Sequence, residues 1–295
     1  MERSQCAPIP LRTGYDVHMR MDRILHPTDF SLASDEALER AVGLAMAHGA
    51  ALTVFHTERV GHDQAAVAAK RERVDAIVAA LVSAGRPRTG FELIHQSGSE
   101  ATPYAGIIAE IRRGSPDLVV MATHGGGIVT ESVAESIVRD APCSVLTCRR
   151  AGRGRWPLEP GSVLVAVDFS ESAKRALDVA KALACPQSPL TVVHVVDVPR
   201  HPSLYDRAIP TPFEADPELQ ARIEQHLEQW AGGGIERAVA VQGDVRTALG
   251  ELCRAQESVL VVVGTHGLHD EVDYPLGSTA ERLTRSALAP VLTVR

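Results

Sequence analysis

VVVGTHGLHDEVDYPLGSTAERLTRS, residues 261–286, is the stretch on which the fold turns. It opens as a β-branched apolar run, the composition of a buried strand. It then breaks into a loop holding Gly264 and Gly267 and resumes at Gly277-Ser278 as a helix with an apolar stripe at Ala280, Leu283 and Ala287. Ser278 and Glu281 stand at the spacing of a capping box, so the helix is expected to begin at Ser278. A strand feeding a glycine-rich loop and a bare helix N-terminus presents backbone N–H groups and a positive dipole end to an anion. Phosphate is the first candidate.

Working outward, the same pattern occurs twice. ILHPTDFSLASDEAL (Ile24 to Leu38) matches VLVAVDFSESAKRAL (Val163 to Leu177), and LTVFH (Leu52 to His56) matches LTVVH (Leu190 to His194). DLVVMATHG from Asp117 answers SVLVVVGTHG from Ser258, and Glu131 to Arg149 aligns with Gly277 to Arg295 without a gap. An internal duplication therefore sets the architecture. In each copy short apolar strands alternate with amphipathic helices, which implies a mainly parallel sheet covered on both faces. The fold class expected is α/β, with two tandem doubly wound domains of five strands each. The division reads as a loose arm over 1–20, a first domain over 21–150, a polar Gly/Pro linker over 151–161 and a second domain over 162–295. Asp216-Pro217 reads as the start of one helix, with Asp as cap and Pro at the first helical position.

With 295 residues, 45% apolar and only 4% aromatic, the chain has enough material for two aliphatic cores. A net charge of -7 without a run of Lys or Arg argues against a nucleic-acid surface. No apolar stretch is long enough for a membrane span, and residues 1–20 lack the apolar segment of a signal peptide. The five cysteines are odd in number and lack metal-ligand spacing, so they read as reduced thiols of a cytoplasmic protein.

Gly264, Gly267, Gly277 and Ser278 follow the pattern G-x2-G-x9-G-S. With this pattern the chain resembles the universal stress protein family, and the resemblance extends over both copies as a tandem member. The resemblance implies ATP as ligand, with Gly264, Gly267, Gly277, Ser278 and Thr279 around the phosphates. It also implies that Asp168 meets the adenosine portion and that Val195 packs on the adenine ring. On the residues alone, Asp168 is equally a helix-start residue and Val195 a core valine. Each loop glycine can equally serve a tight turn. The acids Asp270, Glu271 and Asp273 would repel a polyphosphate unless Mg²⁺ or Mn²⁺ lay between, and they read equally as a solvated loop. His266 and His269 read as exposed loop residues before they read as ligands, and His194 as a structural hydrogen-bonding group rather than a base. The proline-rich segment 197–217, with Tyr205 and Phe213, is open between a lid and a contact surface.

The first copy keeps Asp29 but departs at the phosphate loop. Ala122 stands for Gly264, Glu131 for Gly277 and Thr57 for Val195, and five residues rather than nine separate Gly125 from Glu131. Glu131 would set a negative charge where phosphates belong. The first domain is therefore expected to be mainly structural or regulatory.

No Gly-x4-Gly-Lys-Ser/Thr loop and no dinucleotide fingerprint is present. No nucleophile and base are arranged for catalysis. The reading implied by the resemblance is a stress-response regulator that holds ATP in its second domain without rapid turnover. The competing readings are a slow metal-dependent ATP hydrolase and a scaffold with vestigial sites. The last strands of the two copies are short apolar edges that need cover, and the resemblance implies that they pair about a two-fold axis within the chain. A homodimer and a regulatory protein partner follow from the resemblance alone.

Overall fold

The computed structural model describes residues 21–57, 64–84, 92–98, 102–123, 133–149, 161–184, 188–197, 210–255, 259–267, 276–286 and 289–295. The arm 1–20, the linker 151–160, Tyr205, the acids at 270, 271 and 273, His269, Gly125 and Glu131 lie outside the described residues.

The first half runs β1 (Arg23–Pro27), α1 (Leu32–His48), β2 (Ala51–Thr57), α2 (Gln64–Ala84), β3 (Glu92–Gly98), α3 (Pro103–Gly114), β4 (Leu118–Thr123), α4 (Val133–Asp140) and β5 (Ser144–Arg149). The second half runs β6 (Ser162–Ala166), α5 (Glu171–Leu183), β7 (Leu190–Val196), α6 (Pro212–Ala215), α7 (Leu219–Ala231), β8 (Arg237–Gln242), α8 (Val245–Arg254), β9 (Val259–Gly264), α9 (Ser278–Ser286) and β10 (Val291–Val294). Side-chain caps start several helices: Ser31, Thr102, Ser170 and Asp244 each accept a backbone N–H from the first turn.

Each half is a doubly wound parallel sheet, and the two join into a single ten-stranded sheet in the order β3-β2-β1-β4-β5-β10-β9-β6-β7-β8. The seam is antiparallel, with Leu292 opposite Leu146 and flanked by Val291↔Thr147 and Thr293↔Val145. The expected pairing of last strands within the chain is thus present. Alternation along the strands sends side chains to two faces. One face, under α1, α2, α5 and α7, carries a single aliphatic cluster drawn from both halves. The opposite face carries two clusters, one under α3 and α4 and one under α8 and α9.

Two helix caps differ from the sequence reading. Asp216 does not cap a helix. It ends α6, its N–H bonding the Pro212 carbonyl at 3.0 Å, and its carboxylate accepts the Glu218 N–H at 3.1 Å. The start there belongs to Thr211-Pro212-Phe213-Glu214, a full capping box with Pro in the first turn. At α9 the Glu281 N–H reaches the Gly277 carbonyl at 3.0 Å. The helix begins at Ser278 as expected, but Gly277 rather than Ser278 stands in the cap position.

Candidate functional site

In the second half β6 lies between β9 and β7, and the chain leaves β6 toward β7 and later returns on its other side as β9. That is a topological switch point, where ligands of open α/β sheets enter beyond the strand ends. Val167 N–H extends the β6 pairing to Val193 O at 2.8 Å, and the chain then turns. Asp168 Oδ1 accepts the Ser170 N–H at 3.0 Å. Phe169, between them, has φ +66°, a left-handed conformation that is costly for a bulky side chain. Its ring is packed on His194 and His226 at 5.0 Å and edge-on to Trp230 at 5.8 Å, which holds the turn in place.

The loop after β9 is tied to this turn. The Ser170 hydroxyl donates to His266 O and the His266 N–H donates to the Ser172 hydroxyl, each at 3.4 Å. A Cβ on Gly264 would lie 2.7 Å from the backbone carbonyl carbon of Ser172 and 2.9 Å from its Cβ. The close approach that Gly264 permits is therefore that of α5, whose first turn rests on the end of β9. The nearby Gly277 N–H bonds Thr265 O at 2.6 Å. This contact brings the two ends of the glycine pattern together and sets Gly277, the exposed Ser278 and the half-buried Thr279 beside the end of β9. Gly267 is half-buried, and residues 268–275 lie outside the described set.

Val195 is placed across β6 from this loop, about 10 Å away at two strand spacings. It is half-buried and packs with Ala166, Val241 and Val245 against the α8/α9 cluster. His194 points to the opposite face, where its Nδ1 bonds Val167 O at 2.7 Å. Asp168, Gly264, Gly277, Ser278 and Thr279 are thus gathered at the β6 and β9 ends, with Val195 as a separate apolar wall. Ser170, Ser172 and Thr265 were not legible as parts of this site, because their contacts depend on how α5 crosses β9.

The first half repeats the turn. Ser31 N–H bonds Asp29 Oδ1 at 2.9 Å, Phe30 has φ +60°, and its ring lies 4.6 Å from that of His56. His56 Nδ1 bonds Thr28 O at 2.9 Å as His194 bonds Val167 O. The Asp-Phe-Ser turn therefore belongs to the fold of both halves. Ala122, in place of Gly264, packs against the large shared cluster.

The two halves also differ beneath the turn. Pairing of β6 with β9 reaches Val165↔Val262, whereas that of β1 with β4 stops at Leu25↔Val119. Pro27 has no N–H to continue the ladder. Instead the fully buried His26 bonds Val120 O through Nδ1 at 2.8 Å, and its Nε2 lies 3.3 Å from Ser34 Oγ. Ser34 in turn donates to Thr28 Oγ1 at 2.8 Å. Burial pushes the His26 imidazole down to about 4, against the opposing pull of the Val120 carbonyl and the Asp29 charge.

Among the described residues no group of three His, Cys, Asp or Glu is arranged to hold a metal, and no helix is long and apolar enough to cross a membrane. Cys143, Cys148 and Cys253 are free, and burial pushes each thiol up to about 11.

The sequence profile of the universal stress protein family matches residues 21–149 and again 161–295. A universal stress protein of Thermus aquaticus is 33% identical over 142 residues, covering 45% of this chain and 98% of that one. One of Mycobacterium tuberculosis is 28% identical over 187 residues, covering 61% of this chain and 62% of that one. Among solved structures, a universal stress protein from Archaeoglobus fulgidus superposes with TM-score 0.62 at 19% identity, covering 94% of this chain and 97% of that one. One from Pseudomonas aeruginosa gives 0.61 at 18%, covering 94% of each. Likeness at that identity concerns the fold.

Proposed function

The chain belongs to the universal stress protein family, and from that premise we propose that it is a regulatory protein that holds ATP in its second half without rapid turnover. The observation that carries this reading is the 2.6 Å bond from Gly277 N–H to Thr265 O. It closes the long interval of the glycine pattern, so that the start of α9 stands beside the end of β9. First-turn amides and hydroxyls of Ser278 and Thr279 are the donor set that phosphate oxygens require.

The fit of an adenine nucleotide rests on three features of this chain. The apolar wall of Val195, Ala166 and Val241 is half-buried rather than sealed, which suits the face of a base. The strand ends between wall and loop leave about 10 Å, enough for a ribose. Asp168 stands at the intervening strand end. Gly264 adds nothing independent to this fit, since the contact with Ser172 alone requires a glycine there. A divalent cation, Mg²⁺ or Mn²⁺, would accompany the polyphosphate as its counter-ion. Holding rather than hydrolysis is supported by His194, which faces away from Val195 with Nδ1 committed to a backbone carbonyl.

The test is to denature purified protein and quantify released nucleotide for the wild type and for Gly267→Glu. The substitution sets a carboxylate near the positive end of α9 and avoids the steric collision at Gly264. Stoichiometric ATP in the wild type and its loss in Gly267→Glu is the expected result. ADP or AMP in place of ATP would replace holding with slow hydrolysis. No nucleotide, and no uptake of added ATP, would leave a scaffold.

A further inference from the structure

Leu276, the residue before Gly277, is half-buried and packs against two clusters at once. One is the α8/α9 cluster of its own half. The other lies under α3 and α4 of the first half and includes Ala134, Ile137 and Val138 of α4. Two arginines of the second half reach the same helix. Arg285 of α9 donates to Glu135 Oε2 in the first turn of α4 at 3.0 Å, where the Glu135 side chain is 14% exposed. Arg295, after β10, donates to the carbonyls of Val138 at 3.3 Å and of Arg139, at the C-terminal end of α4. A cation there matches the negative end of that helix. The helix α4 is thus held at both ends by the second half, while α9 lies against α4 and Leu276 against the cluster that α4 covers.

We propose that α4 of the first half is a positioning element for the phosphate loop of the second, acting through Leu276 and the Glu135–Arg285 pair. The proposal rests on the nucleotide reading above. Gly277 has no side chain to fix its own place. Its N–H is anchored from one side by Thr265 O, and the neighbouring Leu276 anchors the segment from the other by packing on the first-half cluster to which α4 contributes Ala134, Ile137 and Val138. Movement of α4 therefore moves Gly277, Ser278 and Thr279 relative to the end of β9. By linkage the coupling is reciprocal, so a nucleotide held at α9 stabilises α4 in the other half.

The experiment uses the intact chain with ATP and Mg²⁺. Affinity is measured by calorimetry for the wild type, Leu276→Ala and Glu135→Lys, and amide exchange over residues 133–140 is followed with and without ATP. Both variants should bind about three- to tenfold more weakly, the range expected for residues that couple sites without touching ligand. ATP should slow exchange in α4 of the wild type and do so less in Leu276→Ala. A merely structural contact would lower the melting temperature without altering the response of α4 to ATP. Equal affinities in all three proteins, or α4 exchange indifferent to ATP in a wild type that binds it, would overturn this proposal alone. A wild type that binds no ATP would overturn it together with the nucleotide reading. Glu135→Lys acts through the pair and leaves Leu276 in place, so one variant suffices if the other does not fold.

Discussion

His26 is a neutral imidazole sealed between β1 and α1, and that has a consequence for acid stability. The unfolded chain takes up a proton on this ring below its ordinary 6.5, whereas the folded chain does not until about 4. The unfolded state therefore binds more protons across that window, and stability falls as pH drops from 6.5 toward 4, by about 3 kcal/mol from this group. Above 6.5 both states are neutral and the effect vanishes. His26→Val, which installs the residue found at the matching Val165, should flatten this dependence when urea midpoints at pH 7.5 and 5 are compared. An identical slope in the variant would remove His26 as the cause. Gly264 is the second residue with a calculable burden: Gly264→Ala drives a methyl into the Ser172 backbone and should destabilise by about 1–3 kcal/mol in denaturant. Ser172→Ala should not rescue it, because the collision at 2.7 Å is with a main-chain carbon. At this scale the sequence showed that Gly264 mattered but not why. A spacing pattern records a need for close approach without naming what approaches.

The edge strand β8 shows how an element is protected as well as formed. Ala240 is 1% exposed, and its N–H donates to Glu224 of α7 at 3.1 Å. The side chain of Gln242 accepts the Phe213 N–H at 3.2 Å and donates to Thr211 at 3.0 Å, which fastens α6 over the strand end. Edge strands with unpaired amides invite pairing with other chains. Glu224→Ala leaves a buried donor without its acceptor and should cost about 1–3 kcal/mol, whereas Glu224→Gln, which keeps an acceptor oxygen, should cost less. Chemical denaturation of the two variants separates these outcomes, and equal losses would assign the effect to packing. Strands and helices were largely legible from the alternation of short apolar runs with amphipathic stretches. The expected start at Asp216-Pro217 lies just ahead of α7, which begins at Leu219, while the signal Thr211-Pro212-x-Glu214, which the sequence reading passed over, opens α6. Both are helix-start signals, and only the second has its partner carboxylate three residues on.

For the molecule as a whole, the aliphatic cluster under α1, α2, α5 and α7 draws residues from both halves, and Leu146 and Leu292 at the seam are each 1% exposed. The halves should therefore unfold together. Calorimetry is expected to give a single transition, and Leu292→Ala should lower it, by about 2–5 kcal/mol of stability, without splitting it. Two separate transitions would mean that each half stands on its own core. Since β5 and β10 are each paired on both sides, a homodimer of the whole chain would have to use other surfaces. The duplication and the parallel sheets were readable from the repeated segments, and the pairing of last strands was implied by the family resemblance. The clasp on α4 was not readable, because Leu276, Arg285 and Arg295 meet that helix only once the sheet is closed.

The covalent join across the antiparallel seam has one more consequence. In a dimer of identical subunits every substitution occurs twice, at mirrored places about the axis, so neither side can specialise without the other. Two copies in one chain escape that obligation. One can carry a buried histidine where its twin has a valine, or an alanine where its twin has Gly264, and the division of labour is inherited as a unit.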